Sequence, residues 1–308
     1  MRSWQTDLLN TLLAVSLKPT LRSTNSVSKI RRGVGIGDSI LGRLTKVPGT
    51  RRTPVCASGT DCQMEWLDVA GIERQQAPTL LYLPGGAFVM RTPQLHTGLA
   101  ARICKESAMR ALVCYYRLAP EFPFPNALED AAAAYKLLLS EGVPADQIVL
   151  AGDSAGGGLA LSLLLWLRDE CYPLPAGALL LSPLLDMSET AASRIKNARS
   201  DAMLPPPAKR GVNPRALYVG EEDHRHPLIS PIYGEYQGLP PLYVQVSDSE
   251  MLLDDSLRLA RRARHYQVNA EVDIWRGLPH VWSLVPWLPE SRAAIRRMAH
   301  FIDGLVEH

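Results

Sequence analysis

The residues best placed to do chemistry lie in Ile148-Val149-Leu150-Ala151-Gly152-Asp153-Ser154-Ala155-Gly156. A short apolar run of strand-forming residues enters G-x-S-x-G, and an apolar, helix-forming stretch, Ala155–Arg168, leaves it. A strand-to-helix turn this tight strains the serine backbone and tolerates only small neighbours, here Gly152 and Gly156. It lifts the Ser154 hydroxyl clear of a sheet and aims a helix N-terminus at a reacting carbonyl, as an acyl-transfer nucleophile requires. The competing reading, a phosphate loop, needs G-x-x-x-x-G-K-[ST], and no lysine follows here.

Such a serine needs N–H donors where the carbonyl oxygen turns negative, and a base to take its proton. The amide after the nucleophile, at Ala155, is one donor. Gly85 and Gly86 in Pro84-Gly85-Gly86-Ala87-Phe88, just after the apolar run Thr79–Leu83, are the others, because backbone without side chains can approach a substrate closely. The turn resembles that of the α/β-hydrolases, and the resemblance implies the chain order nucleophile, acid, base. Of the six histidines after Ser154, His265 and His300 fall in helical stretches and His308 ends the chain. His224 and His226 stand in a charged loop with Glu221, Glu222 and Asp223 that lacks metal-ligand spacing. His280, in the loop after the last strand-like run, is the base expected over Ser154. The acid must come from the loop after Leu242–Val246, where Asp248, Glu250, Asp254 and Asp255 compete.

Together with Tyr116-Arg117-Leu118-Ala119-Pro120-Glu121 and Pro123-Phe124-Pro125, these segments resemble the hormone-sensitive-lipase-like branch of the α/β-hydrolases, over residues of about 60 to 305. The resemblance implies a cofactor-free carboxylesterase acting on small acyl esters of short to medium chain, and since no Cys or His cluster has ligand spacing, no metal is expected. It also implies a lid built from the N-terminal segment, residues 1–50, plus an insertion at about 185–212. In that family the acid lies in D-P-L-x-D-E, about thirty residues before the histidine. Counting back from 280 gives 250, so Glu250 is favoured, Asp254 matches a supporting aspartate, and Asp248 is the runner-up. The family's H-G-G-[GA] reads Pro84-Gly85-Gly86-Ala87 here, which removes a histidine that braces the loop. Arg117 and Glu121 are expected to brace the loop beside the site. Phe88, Asp153, Leu204 and Trp282, with Trp287, are the candidates for lining a substrate pocket, against core packing as the ordinary state of such residues. An amidase or lactonase on the same triad, or a small-molecule receptor with an impaired site, are the rival readings.

The elements that must hold these residues alternate. Strand-like runs at Met64–Val69, Thr79–Leu83, Arg110–Tyr115, Gln147–Ala151, Ala176–Leu181, Pro241–Val246 and Ala270–Trp275 are interleaved with helical stretches at Asn126–Ser140, Ala155–Arg168, Leu252–Tyr266 and Pro289–Leu305. Asn126 is the expected N-cap of its helix, answered by Glu129. The pattern predicts an α/β fold: a mainly parallel sheet covered on both faces, in a core of residues 51–308. Leu8, Leu9, Leu12, Leu13 and Leu17 recur at helical spacing, in a helix expected to stop near Lys18-Pro19 before a polar, Gly-rich stretch ending at Gly37. Only Arg2 and Lys18 flank that stripe, so it is expected to pack on the protein's own surface rather than on a membrane.

The 308 residues are 46% apolar and 21% charged, which excludes disorder and fibrous repeats, and the net charge of +2 gives no field for nucleic acid. Arg258, Arg261, Arg262 and Arg264 read as a solvated face. No apolar run reaches the roughly 18 residues of a membrane span, so no stable membrane insertion is expected. Five scattered cysteines and a poor leader predict a cytoplasmic protein, possible as a homodimer.

Overall fold

The central strands are apolar throughout because helices cover both faces of the sheet they form. The computed structural model describes residues 2–73, 77–206 and 211–306. Its strands are β1 (Arg51–Val55), β2 (Gln63–Asp68), β3 (Thr79–Leu83), β4 (Arg110–Tyr115), β5 (Ile148–Asp153), β6 (Gly177–Leu181), β7 (Leu242–Ser247) and β8 (Ala270–Trp275). They form one sheet in the order β1-β2-β4-β3-β5-β6-β7-β8. β2 runs antiparallel to β1 and β4, and every other pairing is parallel. Alternate residues serve opposite faces. Leu81, Leu150, Leu180 and Val244 pack with α5 (Asn126–Ser140), α6 (Ala155–Asp169) and α9 (Leu253–His265). Leu80, Val149, Leu179 and Tyr243 pack with α4 (Pro93–Glu106) and α10 (Pro289–Asp303).

Several local expectations are corrected. β1 escaped the sequence reading because Arg51-Arg52-Thr53-Pro54-Val55 is polar and contains proline. It is an exposed edge strand, where proline costs no ladder partner. Asn126 is the first residue of α5 and does not cap it; its amide donates to the Pro123 carbonyl at 2.8 Å, and Glu129 pairs with Arg117 at 3.3 Å. The N-terminal helix does not stop at Pro19. It runs as α1 (Trp4–Leu12), a wider turn of π geometry over Leu13–Leu17, and α2 (Lys18–Ser23). The wide turn accommodates a proline that lacks an N–H and would clash in a regular helix.

The Gly-rich stretch is helical as well, inside α3 (Val27–Thr45). Its contact with α4 explains both helices. Asp38 accepts from the amides of Gln94 and Leu95 at 3.0 and 2.9 Å, so the cap of α4 comes from another helix. A Cβ on Gly42 would lie 2.1 Å from that of Gln94, so only glycine permits the approach. The leucine stripe is divided: Leu9, Leu13 and Leu17 are half-buried, whereas Leu8 and Leu12 face outward.

The N-terminal helices are tied to the connection between β6 and β7. Lys18 Nζ donates to the Ala198 carbonyl at 2.9 Å, and the Val212 amide to Thr24 O at 3.1 Å. That connection carries α7 (Ser193–Lys196) and α8 (Pro214–Val219). Pro207 and Arg210, within the expected insertion, and His308 lie outside the described residues.

Candidate active site

β5 ends at Asp153 and α6 begins at Ala155, which leaves Ser154 alone to make the turn, at φ 52° and ψ −119°. Holding a non-glycine residue there costs about 1–3 kcal/mol. The Ser154 amide donates to Leu181 O at 2.8 Å and its carbonyl accepts from Leu184 N at 2.9 Å. The glycines are sterically required: a Cβ on Gly152 would meet Gly156 O at 2.2 Å, and one on Gly156 would meet Leu83 O at 2.0 Å.

The Ser154 hydroxyl lies 2.9 Å from His280 Nε2, and His280 Nδ1 lies 2.6 Å from Glu250 Oε2. The other carboxylate oxygen of Glu250 accepts from the Ser247 amide at 2.8 Å and the Ser182 hydroxyl at 2.9 Å. Glu250 is fully buried. Burial pushes its carboxyl above the usual range, partly offset by His280 and the Ser247 amide. Burial pulls the His280 imidazole down, but the bond and charge of Glu250 outweigh it, and the ring binds its proton more tightly than an ordinary histidine. Asp248 instead accepts from the Gly277 amide at 2.8 Å, and Asp254 from the Ser193 amide at 2.8 Å. Neither is the carboxylate bonded to His280. A hydroxyl, imidazole and buried carboxylate in series can pass a proton from the oxygen to the ring while the carboxylate holds the ring's tautomer.

The loop after β3 departs from expectation at one donor. The Gly85 amide already donates to Asp153 Oδ1 at 2.9 Å, so it does not face a substrate. The amides of Gly86, Ala87 and Ala155 have no acceptor among the described residues. Gly85 is pressed against Asp153, whose Oδ2 a Cβ would meet at 2.2 Å, and Gly86 sits at φ 128°. The bracing expected from a histidine at position 84 comes from elsewhere. The Tyr116 hydroxyl donates to Pro84 O at 2.6 Å. Asp153 in turn takes the Tyr82 hydroxyl at 2.8 Å and His96 Nε2 at 3.3 Å, while Thr92 Oγ1 lies 3.1 Å from His96 Nδ1. Burial opposes ionisation of Asp153, yet His96, Tyr82 and the Gly85 amide hold its carboxyl below the usual range. Tyr82 and His96 were missed because they precede the nucleophile by 72 and 58 positions and belong to no short motif; Tyr116 opens a segment that carries the resemblance, but nothing in that segment says where its hydroxyl points.

A cavity of about 260 Å³ opens over Ser154. Its walls include Ala87, Val89 and Met90 of the loop, Leu21, Arg22 and Ile30 of the N-terminal helices, and Leu184, Met187, Leu204 and Val212 of the β6–β7 connection. Leu204 therefore lines the pocket, held by its amide's bond to Asp201 Oδ1 at 2.8 Å. The other three pocket candidates do not. Phe88 is buried and stacked on Tyr218 with ring centroids 3.6 Å apart. Trp282 is buried against Trp275, and Asp153 lies beneath the loop rather than in a wall. Trp287 is outside the lining too. Arg117 binds Asp130 at 2.9 Å, and Glu121 binds Arg31 of α3 at 2.7 Å. Arg258 pairs with Asp186 at 2.6 Å and Arg262 donates to Tyr233 O at 3.0 Å, so half of the basic cluster is structural.

The family described as alpha/beta hydrolase fold matches residues 80–284. An acetyl-hydrolase of Streptomyces hygroscopicus is 40% identical over 242 residues, 78% of this chain and 79% of that protein. The carboxylesterase/phospholipase LipF of Mycobacterium tuberculosis is 31% identical over 296 residues, 94% of this chain and 78% of its own length. The crystal structure of an esterase from the bacterial hormone-sensitive lipase family superposes over the whole of both chains with a TM-score of 0.90 at 35% identity. The chain thus belongs to the alpha/beta-hydrolase family, in its hormone-sensitive-lipase branch, and is a carboxylic ester hydrolase.

Proposed function

We propose that the enzyme is a serine carboxylesterase for short- to medium-chain acyl esters, with Ser154 as nucleophile, His280 as base and Glu250 as acid. The observation that carries this is the unbroken series from Ser154 through His280 to a buried Glu250. His280 Nε2 takes the Ser154 proton as Oγ bonds to the ester carbon, and the carbonyl electron pair moves onto its oxygen. The amides of Gly86, Ala87 and Ala155 receive that oxyanion. Collapse expels the alkoxide, which leaves as alcohol with the proton from His280. Water then attacks the acyl-enzyme by the same route and releases the acid and the free serine.

The apolar walls, with Leu184, Met187, Leu204 and Val212 above the serine, support an acyl group of limited length. The N-terminal helices and the β6–β7 connection form the lid, since both line the cavity and are hydrogen-bonded to each other. The cytoplasm is the compartment this reading favours, on an odd number of cysteines scattered along the chain. The decisive experiment is labelling with a fluorophosphonate probe. Mass spectrometry should find the adduct on Ser154, and Ser154→Ala should lose both the adduct and about 10⁴-fold or more of kcat. An adduct elsewhere, or more than about a tenth of wild-type kcat, refutes the assignment. A series of p-nitrophenyl esters from acetate to palmitate fixes the chain length.

A further inference from the structure

The N-terminal helices are amphipathic in the wrong sense for a lid buried only against its own core. Among the described residues, eight of the twelve large exposed apolar side chains lie between positions 4 and 44. On α3, Ile36, Ile40 and Leu44 recur at i, i+4 and i+8 and are 58%, 63% and 64% exposed. The same outward face carries Lys29, Arg32 and Arg43, which fall at helical spacing from Ile36, while Ile30, Asp38, Gly42 and Thr45 point to the protein. On α1 and the wide turn, Trp4, Leu8, Leu12 and Val15 form a second outward stripe.

Charge is concentrated in the same segment. Residues 1–46 hold eight Lys and Arg against two Asp, a balance of +6 in a chain whose total is +2. Both aspartates have partners within the chain: Asp7, at the surface, is paired with Arg2, and the buried Asp38 caps α4. Arg22, Lys29, Arg32, Arg43 and Lys46 make no ion pair among the described residues. The expectation that only Arg2 and Lys18 flank the apolar stripe missed α3, because its glycines disguised it as a loop.

We infer that this segment docks the enzyme peripherally on an anionic lipid surface, with the outward face of α3 as its centre. A helix lying in an interface needs apolar side chains to enter the acyl boundary and cations beside them for the headgroups, and α3 presents both on one face. Trp4 on the neighbouring stripe has the amphipathic ring favoured at that depth. A second copy of this chain is a poorer occupant, since it would set a +6 segment against another. Docking has a use in this molecule: Leu21, Arg22 and Ile30 of the same segment line the cavity over Ser154, so lipid esters would be met beside the cavity.

The test is co-sedimentation of the full chain with phosphatidylcholine vesicles, with and without phosphatidylglycerol, and it reads binding independently of the esterase mechanism. Wild type should bind the anionic vesicles, lose binding as salt shortens the screening length, and ignore the neutral ones. Ile36→Ser/Ile40→Ser/Leu44→Ser and, separately, Arg32→Glu/Arg43→Glu should each weaken binding about tenfold or more. Both should leave hydrolysis of a soluble p-nitrophenyl ester unchanged, because none of these residues lines the cavity. If the apolar triple variant fails to fold, the arginine pair decides alone. No binding by wild type, equal binding to neutral vesicles, or variants that bind like wild type overturn the inference. So does a wild-type dimer that the triple variant converts to monomer without any vesicle binding, which would make this face an interface between copies.

Discussion

Replacing Glu250 by glutamine tests the acid with almost no change of shape. In the native site one oxygen accepts from His280 Nδ1–H at 2.6 Å, and the other from the Ser247 amide and the Ser182 hydroxyl at 2.8 and 2.9 Å. All of these partners donate. Glutamine has one oxygen and one NH₂, so one side of this buried carboxyl must now meet a donor with a donor. If the NH₂ faces Ser247, a buried amide loses its acceptor at about 1–3 kcal/mol. If it faces His280, Nδ1 must become the acceptor, and the ring proton moves to Nε2, where it blocks removal of the Ser154 proton. The second arrangement keeps two bonds and should dominate. An imidazole held in the wrong tautomer loses about 10⁴ in kcat, or about 5.4 kcal/mol of barrier.

The pH dependence gives an independent sign. The base must be neutral to act, so kcat/KM falls as pH drops through the His280 pKa. In the wild type that limb lies above the ordinary imidazole range, because Glu250 outweighs the lowering effect of burial. Without the carboxylate charge burial prevails and the limb moves to lower pH. Stopped-flow rates with p-nitrophenyl acetate across the pH range would measure both effects. A variant that keeps more than about a tenth of kcat, or whose acid limb moves upward, would refute the reasoning.

Other outcomes follow from the same contacts. Gly156→Ala should fail to accumulate as folded protein or melt several degrees lower in calorimetry, since its Cβ would sit 2.0 Å from a backbone oxygen that cannot retreat. His96→Leu should lower kcat about ten- to a hundredfold with KM nearly unchanged, because Asp153 loses a partner and its grip on the Gly85 loop loosens. An unaltered kcat, measured on a variant with the wild-type melting point, would show that the loop needs no such support. Removing residues 1–25 deletes Leu21 and Arg22 from the cavity wall and should depress turnover of longer acyl esters more than of acetate. Equal loss across the series would argue against a lid.

Requirements that act between near neighbours in sequence were readable. G-x-S-x-G followed by an apolar helix constrains its own residue types sterically, and the structure shows why each glycine is small. The buried strands were readable too, because a sheet covered on both faces makes them apolar along their length. What failed was anything settled by a distant partner. α4 is capped by Asp38, some 56 positions away, so no cap residue marks its start. α3 contains Gly33, Gly35 and Gly37, none of which meets a neighbour on its Cβ side, and local propensity therefore read as a loop. Phe88 and Trp282 were pocket candidates by type and position along the chain, but the direction of a side chain from a turn is decided by tertiary packing.

The oxyanion loop shows how such a distant tie can serve the chemistry. Asp153 is the residue before the nucleophile, and its carboxylate holds the amide of Gly85, the residue before the free amide of Gly86. The two parts of the site that must agree in position are thus joined through one side chain and one hydrogen bond, each a single residue from its working atom. The tie is rigid because Tyr82 comes from the strand that launches the loop and His96 from the helix that follows it. Both converge on the same buried carboxylate. A fixed set of donors accelerates acyl transfer only if it stays in place while charge develops, since a donor that must move spends part of what it would stabilise. On this argument Pro84 is tolerable: the position needs a carbonyl for Tyr116 to hold and no N–H, and proline supplies the first and lacks only the second.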